Sequence, residues 1–385
     1  MPRHALLPLL LALLPATLAA QGRTDRAAFI TSLGSDTLVV EQFTRTANRL
    51  ETDLAARVPR TRRIHFVATL NPDQTVARLE VSVHPAVPAP DAPAFSGEMV
   101  FSKDSAITTV HVGDSTQTLR VATEPGAMPI SSASYALYEQ IFLHVRRAGR
   151  DSLGFQVVPI GGNQAYQTYA VRRGGQAVDL DYFGLPAHAK VDKDGRLLAL
   201  DGRETTNKVI VTRVAKADVD AALKDFAARD AAGQTMGQLS PRDTVRATIG
   251  SAHLVIDYGR PHKRGRDIFG VVVPWDQVWR TGANAATGFT TDADLKVGGT
   301  TIPKGSYTLF SLPSKDGTKL IINSQTGQWG TEYHQDKDFA RVAVTTEALP
   351  QPVETFTIAI DSQGAGGVLK FQWDRTQFSL PFTVQ

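Results

Sequence analysis

Apolar side chains at alternate positions, in short runs broken by turn residues, recur from Phe29 to about Arg213 and again from Leu239 to Gln385. In one such run Ile64, Phe66, Ala68 and Leu70 alternate with Arg63, His65 and Thr69, a period that buries one face of a strand and wets the other. The runs are separated by Asn71-Pro72-Asp73, Val112-Gly113-Asp114, Arg173-Gly174-Gly175 and Asp192-Lys193-Asp194-Gly195, the chemistry of tight turns between antiparallel neighbours. A proline-rich piece, His84 to Pro93, interrupts them as an exposed loop. The pattern implies a mainly β chain. We expect two β-rich domains, an N-terminal antiparallel sheet domain with a covering helix and a C-terminal β-sandwich or jelly-roll-like domain.

Two segments depart from the strand period. From Ser131 to Arg147, Tyr135, Tyr138, Ile141, Phe142 and Val145 recur at spacings of three and four behind a serine cap, so a helix is expected to cover the first sheet. From Val214 to Ala232 an alanine-rich stretch carries Val219, Leu223 and Phe226 on one stripe, a second helix. It leads into Gly233-Gln234-Thr235-Met236-Gly237, which we take as the boundary. The expected organisation is therefore residues 23–213, a helix and linker over 214–238, and a second domain over 239–385.

Residues 1–20 read as a signal peptide. Arg3 and His4 precede a mostly apolar run that ends in Ala19 and Ala20, and the run is too short, and too interrupted by Pro8 and Pro15, for a spanning helix. The mature chain is expected to be soluble in the periplasm or outside the cell, with no membrane anchor after cleavage. There is no cysteine, which excludes disulfides, thiolate catalysis, cysteine zinc sites and iron–sulfur clusters. Lysine and arginine total 41 against 38 acidic residues, a balance that argues against nucleic acid as the partner. The oligomeric state is not legible.

The densest chemistry lies between Asp257 and Asn284. A strand ends at Tyr258, and Arg260, His262, Lys263, Arg264 and Arg266 follow among glycines before Trp279, Arg280 and Asn284. Guanidinium forks match carboxylate or phosphate oxygens, and an aromatic ring beside them offers a stacking face. Tyr258, Arg260, Lys263, Arg266, Trp279, Arg280 and Asn284 are the candidate ligand-binding residues, the cations neutralising an anion, Asn284 orienting it and the rings stacking. The competing reading makes the arginines loop ties, to backbone carbonyls or to Asp267, Asp276 and Asp292, with Trp279 in the core. As a phosphate loop the run lacks the P-loop spacing.

The stretch from Ser240 to about Val384 resembles the bacterial domain-of-unknown-function 2911 family. The resemblance is carried by Ser240-Pro241-Arg242, Tyr258-Gly259-Arg260-Pro261, Gly265-Arg266, Ile268-Phe269-Gly270, Val278 to Asn284, Pro303-Lys304-Gly305-Ser306-Tyr307 and Trp329-Gly330. It implies that the arginine, tryptophan and asparagine positions are a family feature and supplies no reaction. Residues 23–235 resemble no family.

Catalytic and metal readings are weaker. No H-E-x-x-H or G-x-S-x-G occurs, and Asp192 to Gly195 and Asp292 to Asp294 lack a full calcium loop. His253 and Asp257 share a strand face and His262 follows in the loop; with His334 and Asp336 or Asp338 they form the metal candidate. His253 with Asp257 is the best pair for a hydrolase, and Asp179 and Asp181 are a further acid–base pair on a strand face that usually meets water. Tyr135, Tyr138, Ile141 and Phe142 would line any apolar pocket between the first sheet and its helix. The reading that emerges is a non-catalytic binding protein, without cofactor or metal, for an anionic small molecule or glycan held at the loop face of the second domain. An envelope hydrolase and a structural envelope protein are the alternatives.

Overall fold

The computed structural model describes residues 24–86, 93–182 and 184–385. The leader read at residues 1–20, the middle of the proline-rich loop and Phe183 lie outside them.

The first part of the chain is one antiparallel sheet wound in two passes. β1 (Asp25–Leu33), β2 (Asp36–Arg45), β3 (Arg49–Ala56), β4 (Arg62–Leu70), β5 (Val76–Pro85), β6 (Phe95–Phe101), β7 (Ser105–Val112) and β8 (Ser115–Ala122) add one after another to the same edge. The chain then crosses to the far edge through β9 (Met128–Ile130) and helix α1 (Tyr135–Ala148). It returns through β10 (Ser152–Pro159), β11 (Tyr166–Gly174), β12 (Ala177–Tyr182), β13 (Leu185–Val191), β14 (Leu197–Asp201) and β15 (Ile210–Val214), which closes against β1. Among the described residues of this sheet, β9–β10 is the one parallel pair. The sheet curls enough to bring β9 against β5. Alternation does what the sequence implied: Ile64, Phe66, Ala68 and Leu70 are buried while Thr69 faces water.

α1 is fixed by charge as well as by apolar contact. Tyr135, Tyr138, Ile141, Phe142 and Val145 are all buried in the sheet's core; a cavity of about 10 Å³ lies beside Ile141, and a pocket of about 230 Å³ beside Phe142 and Val145 is shared with Arg146, Arg172, Asp192 and Lys193. The cap is Ser134 rather than Ser131, so the helix starts later than its periodicity implied. The reason is Glu41 on β2, a fully buried carboxylate that accepts from Thr52 Oγ1 (2.6 Å), Ser134 Oγ (2.5 Å) and the backbone N–H groups of Tyr135 (2.7 Å) and Ala136 (3.1 Å). It satisfies the first free donors of the helix and meets the positive end of its dipole. Burial pushes the Glu41 carboxyl up and these donors pull it part of the way back. Glu41→Gln puts an amide donor among donors, and should lower stability by about 1–3 kcal/mol in urea unfolding at pH 7.

α2 (Val219–Ala231), capped by Asp218, lies on the opposite side of the sheet, where Val219 and Phe226 pack on Val40 and Ala55. Val214, expected to open this helix, is the last residue of β15. The linker that follows returns Met236 and Leu239 to the first core.

The second part holds two sheets. β16 (Arg242–Ile249), β17 (Ala252–Gly259), β18 (Thr287–Thr291), β19 (Leu295–Val297), β20 (Thr300–Ile302), β21 (Gly305–Leu312), β22 (Lys319–Asn323), β23 (Asp338–Ala343), β24 (Thr345–Gln363) and β25 (Gly366–Val384) follow in order. One sheet runs β16-β17-β18-β21-β22-β23 and the other β20-β19-β25-β24, and both contribute to a single apolar core that includes Ile256, Phe289, Leu309, Phe356, Phe371 and Trp373. The segment from 345 to 353, which carries Pro350 and Pro352, belongs to β24. Those prolines lack a donor, and an edge strand tolerates them at irregular register. Among the described residues no helix is long and apolar enough to cross a membrane.

Candidate functional site

The loop from Arg260 to Ala286 joins β17 to β18 and is pinned along its length. Arg260 N–H donates to the Pro241 carbonyl (2.8 Å), Lys263 N–H to that of Glu354 (2.7 Å), and Trp279 exchanges two backbone bonds of 2.8 Å with Ser311. The Asn284 carbonyl accepts from Gly330 N–H (3.0 Å). Thr281 and Asn284 hold left-handed backbone, with φ of 50° and 63°, so the turn that presents Arg280 is strained and then fixed. Gly259 is required next to it, because a Cβ there would overlap the carbonyl of Ala283.

This loop forms one wall of a cleft of about 1050 Å³ whose other wall is the N-terminal sheet. Arg266, Trp279, Arg280 and Asn284 line it from one side; Arg203, Glu204, Asn207 and Lys208, from the turn between β14 and β15, line it from the other. The structure thus brings four of the seven sequence candidates to one place.

The remaining three are engaged elsewhere. Tyr258 is buried in the second core, its hydroxyl accepting from Ile358 N–H (3.0 Å). Arg260 binds Asp243 (2.9 Å), Thr357 Oγ1 (3.1 Å) and the Phe356 carbonyl (3.3 Å). Lys263 pairs with Asp374 at 2.6 Å. The acidic partners are therefore not Asp267, Asp276 or Asp292, those nearest in sequence, but residues that other strands deliver. Arg264 completes the set by reaching Asp36 (2.9 Å) in the turn between β1 and β2, where its own carbonyl accepts from Ser35 N–H (3.1 Å). The basic run is thus part clamp and part cleft wall.

Within the cleft three cations have no carboxylate in contact. Arg266 donates Nε to the Lys263 carbonyl (2.9 Å) and Nη2 to that of His262 (2.5 Å), while Arg280 donates Nη1 to the Asn284 carbonyl (3.2 Å). Lys208, with φ of 56°, makes no hydrogen bond or ion pair among the described residues. Burial, then Arg280 and Arg266, push its ammonium down to about 8 against the weaker pull of Glu204. Burial also lowers the pKa of both guanidinium groups. Trp279 has one ring contact already taken, stacked on Trp373 at 5.8 Å with Phe356 at its edge. It stands between the core and the cleft.

Asn284 Nδ2 is turned toward the Ser240 carbonyl at 3.4 Å. Lys208 carries no functional signal in the sequence, where it opens an expected strand, Lys208 to Val211; the structure starts β15 at Ile210 and leaves Lys208 in the turn before it.

The catalytic and metal candidates are dispersed. His253 binds Asp292 (2.7 Å) while Asp257 binds Arg242 (2.8 Å). Asp338 holds Tyr333, Arg341 and Asn323, and Asp179 pairs with Arg173 and His188. Asp192 and Asp294 accept from backbone N–H groups in turns. Among the described residues no three histidine or carboxylate side chains converge as metal ligands.

Residues 240–382 match the family model of a protein of unknown function, DUF2911. No curated protein matches the chain. Among solved structures, a DUF1089 family protein from Pseudomonas aeruginosa aligns at 11% identity over 43% of this chain and 90% of its own, with a TM-score of 0.32. A β-barrel-like protein of the domain of unknown function DUF1849 from Brucella abortus aligns at 11% identity over 50% of this chain and 96% of its own, with a TM-score of 0.32.

Proposed function

We propose that this chain is a non-catalytic binding protein of two domains, working in the periplasm or outside the cell, that captures an anionic small molecule in the cleft between them. The observation that carries the reading is the convergence of Lys208, Arg266 and Arg280, none of which has a carboxylate in contact among the described residues. Cations placed together at the cost of mutual repulsion gain most when an anion arrives. The arginines and lysine of the same run that lie outside the cleft, Arg260, Lys263 and Arg264, have acidic partners, which sets the three cleft cations apart. A glycan is less well served, since one contact of the Trp279 ring is already occupied by Trp373. The leader read at residues 1–20 supports export.

Arg280→Ala tests the reading. A charge-assisted hydrogen bond contributes roughly 1.5–3 kcal/mol, so calorimetric titration with anions should show affinity falling by about tenfold to a hundredfold. The melting temperature of the ligand-free chain should hold or rise, because the variant relieves repulsion. A marked fall in that temperature, with anion binding absent from the parent chain, would assign Arg280 to the scaffold instead.

A further inference from the structure

The donors left open in the cleft specify the geometry of the anion. Two of the three nitrogens of Arg266 are committed to the carbonyls of Lys263 and His262, so Nη1 remains. Arg280 uses only Nη1, toward Asn284, and keeps its Nε–Nη2 edge, the edge that grips two oxygens of one anion side by side. Lys208 brings a third, independent donor from the opposite wall. A planar carboxylate has two oxygens and one negative charge, and the Arg280 edge alone engages both oxygens side by side. Its single charge would stand against three cations and leave most of the repulsion between Arg266, Arg280 and Lys208 in place.

We infer that the cleft's ligand carries a tetrahedral dianion, a phosphate monoester, whose terminal oxygens are shared between Arg280 and Arg266 on one wall and Lys208 on the other. This rests on the reading of the cleft as an anion site and adds the chemical class and the bridging of the two walls. Two negative charges against three cations remove most of the repulsion that one charge would leave. The second ionisation of such an ester lies near about 6, so the dianion is present at pH 7.5. Bridging also makes binding a link between the two parts of the chain, which lowers the freedom of one relative to the other.

The groups facing Lys208 are Arg266 and Arg280 across the cleft and Glu204 on its own turn. Because the free ammonium titrates near about 8 and a dianion restores its pull on the proton, binding at pH 8 should take up protons. Affinity should fall as the pH rises past that point.

The test titrates the full chain with phenyl phosphate, benzenesulfonate and phthalate. Phenyl phosphate is expected to bind at least about tenfold more tightly than either of the others, since each adds or removes one oxygen, one charge or the tetrahedral shape. Titrations at pH 8 in two buffers of different ionisation heat should show proton uptake. Lys208→Asn keeps a residue that accepts left-handed backbone, and should weaken phenyl phosphate by about tenfold and abolish the uptake. Equal or tighter binding of phthalate, still lost in Arg280→Ala, would overturn the phosphate assignment while leaving the anion site standing. Unchanged phenyl phosphate affinity in Lys208→Asn would overturn the bridging. Binding of none of the three would remove the anion site and both inferences together.

Discussion

Glu139→Ala should cost about 3–5 kcal/mol of stability, read as a lower urea midpoint with an unchanged slope. Glu139 sits on α1 with none of its surface exposed, and it receives Arg45 Nη1, Arg213 Nη1 and the Leu197 N–H (2.8 Å). Both guanidinium groups lie against aromatic faces, Arg45 over Phe43 at 4.9 Å and Arg213 over Phe43 and Phe29 at 5.1 and 5.6 Å. Arg45 also donates Nε to Gln140 (2.5 Å), and both arginines reach Asp25 at the start of β1. Without the Glu139 carboxylate, Asp25 alone would face two largely buried cations. A buried ion pair adds little over an apolar equivalent, but breaking it strands a charge, and that asymmetry sets the size of the effect. Glu139→Met combined with Arg45→Met should recover much of the loss. A loss below about 1 kcal/mol in the single variant would mean that water reaches the arginines as they stand.

The same cluster shows where sequence reading stops. Alternation on β4, the apolar stripe of α1 and the basic loop after β17 are local patterns; the strand and the stripe are found where the sequence put them, with the helix beginning four residues later, at Tyr135, and the loop follows β17. Glu41, Arg45, Glu139 and Arg213 are scattered through the chain, and nothing within a short window distinguishes them from solvated charges. Only the two-pass winding of the sheet, which sets β15 beside β1 and α1 inside, makes them neighbours. Strand β3 is hard to read from its sequence for a related reason. Glu51 and Asp53 dilute its composition, although Leu50, Thr52 and Leu54 alternate inward and Arg63 from β4 answers Asp53 at 2.5 Å.

At the candidate site the sequence left the basic run open between anion-binding side chains and loop ties, and the structure separates cations that have an acidic partner from cations that have none in contact. Arg260, Lys263 and Arg264 meet Asp243, Asp374 and Asp36, each delivered by another element. Arg266 and Arg280 meet no carboxylate. Which cation belonged to which group depended on the positions of aspartates up to 228 residues away, information that no spacing within the loop contains.

Gly34→Val should uncouple the two parts of the chain. Gly34 stands in the turn between β1 and β2 with φ of 59°, a left-handed conformation that a β-branched residue adopts only under strain. A Cβ there would overlap the Arg264 carbonyl oxygen and touch the Arg266 side chain. The backbone strain alone is about 1–3 kcal/mol, and the overlap removes the lowest-cost escape, which is for the turn to stay in place. The loop must therefore move away, giving up the Ser35–Arg264 hydrogen bond (3.1 Å), the Arg264–Asp36 ion pair (2.9 Å) and the contact of Arg264 with Met236 Sδ (3.4 Å). Arg266 lies two residues beyond, so the same movement separates Arg266 and Arg280 from Lys208. Calorimetry should then resolve two unfolding transitions in place of one, and phenyl phosphate affinity should fall by at least about tenfold although every side chain lining the cleft is intact. Ser35→Ala, which keeps the turn and its backbone bond, should leave both measurements nearly unchanged. A single transition with unaltered affinity in Gly34→Val would show that the walls of the cleft hold their spacing without this contact, and the strain would then have to appear as a lower melting temperature of the N-terminal sheet itself.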